Sequence, residues 1–127
     1  MNPQRADRLA IVAAAVLAGM LSAAVRAETV DRQPVSDLRP LLKLAIEQGT
    51  AHGVMTGVAA DYARRKFESE APLEVDVRQV QALPQPGCSR LEVTTRQKDV
   101  LENGARGDMT LRYQLSYCRD GRLLERP

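Results

Sequence analysis

Aromatic residues are almost missing from this sequence, which holds three Tyr, one Phe and no Trp in 127 residues. The four present fall on the expected core faces, so no platform remains for stacking sugars or bases. Histidine occurs once, at His52, in a Gly-rich stretch. A lone imidazole lacks the partners that a metal site or a nucleophile–base pair requires, and His52 is expected to be an exposed loop residue. No Gly-x-Ser-x-Gly elbow, Cys-x-x-Cys pair or Gly-rich phosphate loop occurs. Serine-hydrolase, thiol-redox and nucleotide-cradle chemistries therefore find no support in the sequence. The expectation is a chain without catalytic, cofactor-binding or metal-ligating residues.

An excess of one charge is also lacking. The full chain carries +2, but Arg5, Arg8 and Arg26 against Asp7 account for all of it, leaving 15 basic and 15 acidic residues in the remainder. Nucleic-acid binding needs a basic stripe that displaces phosphate counterions. The single basic cluster, Arg64-Arg65-Lys66, is flanked by Asp61, Glu68 and Glu70, as on a solvated helix face. A nucleic-acid partner is not expected.

What is present begins with the N-terminus. Arg5 and Arg8 precede an uncharged run from Leu9 to Val25, and Val25-Arg26-Ala27 places small residues at the −3 and −1 positions. These are the three parts of a secretory signal. The run is short and Ala-rich for a membrane span, so residues 1–27 are expected to be a cleaved signal peptide and residues 28–127 one small domain. The Ala- and Arg-rich composition associates with bacteria, which makes the expected location periplasmic or secreted, with no membrane span after cleavage.

Cys88 and Cys118 are the only cysteines. An even pair in an exported chain reads first as one disulfide, and the two are assigned to each other here.

Hydrophobic periodicity predicts two helices and then three strands. Leu38, Leu41, Leu42, Ala45 and Ile46 form one stripe, placing a helix over Ser36 to Gln48 with Gly49 as its stop. Met55, Val58, Ala59, Tyr62, Ala63 and Phe67 form another, over about Val54 to Glu68, with Gly49, Gly53 and Gly57 around the junction reading as a loose connection. From Leu73 the period changes to two: Leu73, Val75 and Val77 alternate with Glu74, Asp76 and Arg78. Pro84-Gln85-Pro86-Gly87 is a turn. Leu91, Val93 and Thr95 then form the inward side of a second strand, and Met109, Leu111, Tyr113, Leu115 and Tyr117 that of a third.

The cysteines fix the register of this hairpin. If Cys88 faces Cys118, Leu91 meets Leu115, Val93 meets Tyr113 and Thr95 meets Leu111. The midpoint falls on Asn103, beside Gly104, which implies an odd-length turn. The disulfide is placed on the polar face, clipping the hairpin's open end. The expected fold is α+β: two helices packed on one face of a three-stranded antiparallel meander, with a frayed tail from Arg119 to Pro127. On the other face Glu74, Asp76 and Glu92 could serve as acid–base groups, but Arg78, Arg90 and Arg112 beside them point to ion pairing instead.

The stretches Pro86-Gly87-Cys88-Ser89-Arg90-Leu91-Glu92-Val93-Thr94 and Tyr117-Cys118-Arg119-Asp120-Gly121 resemble small exported proteins of unknown role encoded in conjugative-transfer clusters of bacterial integrating elements. The resemblance implies an accessory role in an envelope-spanning apparatus and carries over no catalytic residue. The functional expectation is a non-enzymatic exported interaction or accessory domain with a protein partner in the periplasm. The alternative is a small inhibitor or immunity-type protein that presents its hairpin to an enzyme's cleft.

Overall fold

The computed structural model describes residues 30–124, so the expected signal peptide lies outside the described residues. Six strands and two helices follow one another as β1 (Gln33–Val35), α1 (Arg39–Gln48), β2 (Thr50–Met55), α2 (Val58–Lys66), β3 (Glu74–Ala82), β4 (Cys88–Glu102), β5 (Ala105–Cys118) and β6 (Leu123–Leu124). The strands form one curled sheet in sequence order, β1 parallel to β2 and every other neighbour antiparallel. This overturns the expected α+β fold of two helices packed on a three-stranded antiparallel meander: the described chain is mostly β, because segments with no readable strand period add to the sheet. The predicted strands are its β3, β4 and β5, and three more are added at its sides.

The first helix forms where its stripe placed it. Leu41, Leu42 and Ala45 are buried, and Pro40 sits in the first turn, where its missing N–H is tolerated. The helix begins later than Ser36, at Arg39, whose N–H donates to Asp37 Oδ1 at 2.8 Å. Gly49 ends it at φ 91°, a conformation open to glycine at little cost.

The stretch after Gly49 is strand rather than loose connection. Ala51, Gly53 and Met55 of β2 face inward and are buried, with intermediate positions between them. Glycine at position 53 answers to packing: a Cβ there would come within 2.6 Å of Leu41 Cδ1 and 3.1 Å of the Gln33 carbonyl oxygen. The missing side chain lets α1 lie directly on β2.

The second helix is also corrected. It is shorter than Val54–Glu68, because Met55 belongs to β2 and Gly57, at φ 77°, breaks the chain before Val58. Its buried residues are Ala60 and Ala63, while Val58 is 83% and Tyr62 56% exposed. Of the apolar stripe read from the sequence, Met55 and Ala63 are buried, while Val58, Ala59 and Tyr62 face outward. Only α1 crosses the sheet, over β2, β3, β4 and β5. Beneath it lie Val35, Ala51, Met55, Val75, Val77, Leu91, Val93 and Tyr117, one continuous core.

The β4–β5 hairpin has the predicted register along its first half: Cys88 pairs with Cys118, Leu91 with Leu115, Val93 with Tyr113 and Thr95 with Leu111. The register then shifts by one between Gln97 and Val100. Lys98 and Asp99 form a β-bulge, with Asp99 at φ 53° and its N–H donating to Asp108 Oδ1 at 3.1 Å. The bulge moves the midpoint from Asn103 to the Asn103–Gly104 bond. A two-residue turn results, with positive φ at both residues (53° and 78°), in place of the expected odd-length one. The bulge also turns Val100 to the buried side, where it and Gln97 are covered by the segment after α2. The Leu101 N–H donates to the Phe67 carbonyl at 2.7 Å, Ser69 Oγ to Lys98 O at 2.7 Å and Gln97 Nε2 to Ala71 O at 3.1 Å.

The tail is not frayed through its described part. Arg122 O accepts from the Cys118 N–H at 2.9 Å, and β6 pairs with Ser116 and Tyr117.

Candidate functional site

The disulfide joins Cys88 and Cys118. It closes the open end of the hairpin as expected, but both residues are buried rather than set on a wet face. The Arg119 N–H donates to Gly87 O at 2.7 Å, drawing the tail onto the Pro84–Gly87 turn beside the bridge. Such a bond persists in oxidising compartments and is rare in the reducing cytosol. Among the described residues, no helix is long and apolar enough to cross a membrane.

The helix-free face of the sheet gathers the other residues singled out from the sequence. Alternation sends His52, Asp76, Thr94 and Arg112 to this face in one cross-strand row. His52 is thus a strand residue, not a loop residue. Its Nδ1 lies 2.7 Å from Asp76 Oδ1. The same oxygen accepts from Arg32 Nη1 at 2.9 Å, and Oδ2 accepts from Arg96 Nη1 at 2.5 Å. One carboxylate therefore joins the leader before β1 to β2, β3 and β4. Glu92 accepts from Arg78 Nε at 3.0 Å and has Arg112 Nε at 3.8 Å. Glu74 pairs with Arg32 at 3.3 Å. A hollow of about 290 Å³ on this face is lined by His52, Asp76, Arg78, Glu92, Arg96 and Arg112, with Thr50 and Thr94.

The electrostatics of this face run opposite to acid catalysis at neutral pH. Burial opposes ionisation of Asp76, but hydrogen bonds from His52 and Arg32, together with their charges, outweigh it and hold the carboxyl below its usual range. The Arg78 hydrogen bond does the same for Glu92. A general acid working near neutrality needs its pKa raised instead. Both oxygens of Asp76 are already engaged, and among the described residues no three of His, Cys, Asp and Glu converge as a metal site. The arrangement ties strands together.

No family model, curated protein or solved structure matches the chain.

A different surface is left without a partner inside the described chain. β6 covers only Ser116 and Tyr117, so β5 from Ala105 to Leu115 is a sheet edge against which no described strand pairs. The Cys118 N–H points away from β4, toward Arg122. Hydrogen-bonding direction alternates along an antiparallel strand, so the N–H and C=O groups of Thr110, Arg112 and Gln114 point outward too. On the helix side of the same edge Leu111 is 55% and Tyr113 37% exposed. The sequence placed Met109, Leu111 and Tyr113 correctly on the apolar face but expected a helix above them. The core reaches β5 at Leu115 and Tyr117 and does not include Leu111 or Tyr113. A long edge with an apolar strip is a template for strand addition, which proteins usually blunt with charge, proline or brevity.

Proposed function

We propose that the chain is a non-enzymatic exported interaction domain of the bacterial periplasm, an accessory part of a conjugative-transfer or secretion apparatus. The observation that carries this reading is the open β5 edge, with outward peptide groups at Thr110, Arg112 and Gln114 beside the exposed Leu111 and Tyr113. Peptide hydrogen bonds along such an edge supply affinity, and the alternate apolar side chains supply selectivity. The signal-like segment ending at Ala27 and the disulfide support export. The resemblance around the two cysteines supports the transfer setting. The ionic face contributes a stiff sheet behind the edge.

The inhibitor reading has its own observation. β4 and β5 run on beyond Glu74, where β3 begins, to the Asn103–Gly104 turn, and Phe67, Ser69 and Ala71 hold this extension from one side. A cleft-filling loop has these properties.

A photo-reactive residue placed at Tyr113 in the exporting cell tests both readings. Adducts with envelope-apparatus subunits or with a second copy of this chain, and none from the same probe at the exposed Lys43 on α1, are the expected result. Adducts with one soluble hydrolase instead support the inhibitor. An empty Tyr113 probe contradicts the proposed edge function.

A further inference from the structure

We propose that the β5 edge is a self-pairing interface, and that its occupant is the β5 edge of a second copy of this chain, antiparallel and centred on Thr110. This rests on the reading of β5 as a docking edge and names its partner.

The stretch Ala105–Leu115, which no described strand pairs with on its outer side, has Thr110 at its midpoint, so pairing about Thr110 uses the whole of this edge in both copies. Thr110 is one of the residues whose N–H and C=O point outward, as the two-fold centre of a hydrogen-bonded antiparallel pair requires. In this register Asp108 faces Arg112 of the other copy and Arg112 faces its Asp108, two opposite-charge pairs made by one symmetry operation. Met109 faces Leu111, again twice. Tyr113 lies opposite Gly107, where an aromatic covers the gap left by a missing side chain. An isologous interface is complementary to itself in this way.

The neighbouring registers lack these matches. Centring on Arg112 sets two guanidinium groups directly opposite, which like charges disfavour. Centring on Leu111 faces Arg112 with Thr110 and Asp108 with Gln114, and it leaves part of each edge unpaired.

Pairing about Thr110 joins odd-numbered residues to odd-numbered ones. The helix side of one copy therefore continues into the helix side of the other. Met109, Leu111 and Tyr113 of both copies merge into a single apolar strip, and the two six-stranded sheets become one. The peptide groups that the edge exposes find partners in the same step, which removes the aggregation hazard of an open edge.

Sedimentation equilibrium of the exported, oxidised protein tests the pairing, with charge-reversed variants fixing the register. The wild type is expected to show a monomer–dimer equilibrium. Asp108→Arg sets Arg against Arg at two places, and Arg112→Asp sets Asp against Asp. Each variant alone should weaken the dimer by about tenfold or more. An equimolar mixture of the two variants restores both opposite-charge pairs, and the dimer should return. Circular dichroism of each variant establishes that it is folded, and the recovery on mixing cannot come from misfolded chains. A wild type that stays monomeric at its highest soluble concentration overturns the inference. So does a dimer indifferent to both reversals, or a mixture no stronger than its parts. A monomeric protein that still cross-links at Tyr113 to another protein retains β5 as a docking edge and removes only self-pairing. A monomer with no adduct removes both.

Discussion

Removing the disulfide with Cys88→Ala/Cys118→Ala should lower stability more than any other change proposed here. The bridge closes a loop with a sequence separation of 30 residues. The chain-entropy model assigns such a loop about 3–4 kcal/mol, by excluding open conformations from the unfolded ensemble. A domain of this size has a net stability of only about 5–15 kcal/mol. The bridge also lies where three local structures meet: the start of β4, the end of β5 and the tail that Arg119 brings back to Gly87. Alanine is the informative replacement, since serine would bury two hydroxyls at positions that are almost wholly enclosed. Thermal unfolding followed by circular dichroism should show a midpoint lower by roughly 15 °C, using the scaling for a domain of about 100 residues. A reducing agent should move the wild-type midpoint by a similar amount and leave the variant unchanged. An unshifted midpoint in both experiments would show that the hairpin is held by its ladder and core alone.

Asp76→Ala should come second. The substitution strips one acceptor from Arg32, His52 and Arg96 together, leaving charges from the leader and β4 facing each other across β3. Hydrogen bonds to a charged group are worth more than neutral ones, but Arg96 is half-exposed and water replaces part of the loss. The expected cost is about 2 kcal/mol. The pH dependence follows from the direction of the Asp76 shift. Its folded pKa lies below its unfolded value, so in the window between the two the unfolded chain binds more protons. The contribution is fully present above the ordinary carboxylate range of about 4 and is lost as pH falls through the folded value. Denaturant titrations at descending pH should therefore show a shallower acid limb for Asp76→Asn than for the wild type. Some slope must remain, because Asp37, Glu92 and Asp120 are shifted in the same direction by their arginine partners. Identical acid limbs would mean that the cluster around Asp76 does not distinguish folded from unfolded chains.

The parts of the fold that could be read from the sequence are those in which several signals coincide. The β4–β5 register was legible because alternation, turn residues and cysteine spacing constrain the same pairs. The two-residue turn was not, because Gln97-Lys98-Asp99 announces no bulge, and one inserted residue moves the centre by half a step. β2 was hidden for a different reason. Its inward positions are Ala51, Gly53 and Met55, two of them too small to mark a strand, and Gly53, with Gly49 and Gly57 on either side of the strand, imitates a loop. Met55, Val58, Ala59 and Tyr62 then reproduce helical spacing across what is a strand, a turn and an exposed helix face. β1 and β6, at three and two residues, carry no readable period.

The same limit applies to the candidate site. Alternation shows that Leu111 and Tyr113 share an apolar face, but only the placement of the helices shows that nothing described covers them. The one available cue was length. β5 has 14 residues and α1 has 10. At a rise of about 3.4 Å per strand residue against about 1.5 Å per helical residue, a strand of that length outruns its cover. The carboxylates and arginines of the ionic face were legible as a group, while the role of Asp76 was not. It depends on Arg32 and His52, which sequence patterning left in a leader and a loop.

The central claim is that the outward peptide groups of β5 are open in the free protein and occupied when it works. Residue-resolved amide hydrogen exchange tests this most directly. In dilute, monomeric protein, the amides of Thr110, Arg112 and Gln114 should exchange fast, while those of Leu111 and Tyr113, bonded to β4, stay slow. Raising the concentration, or adding the partner captured at Tyr113, should slow the three even-numbered amides and leave the odd ones unchanged. Even-numbered amides already slow in the dilute monomer, or still fast in the assembled state, would contradict the account.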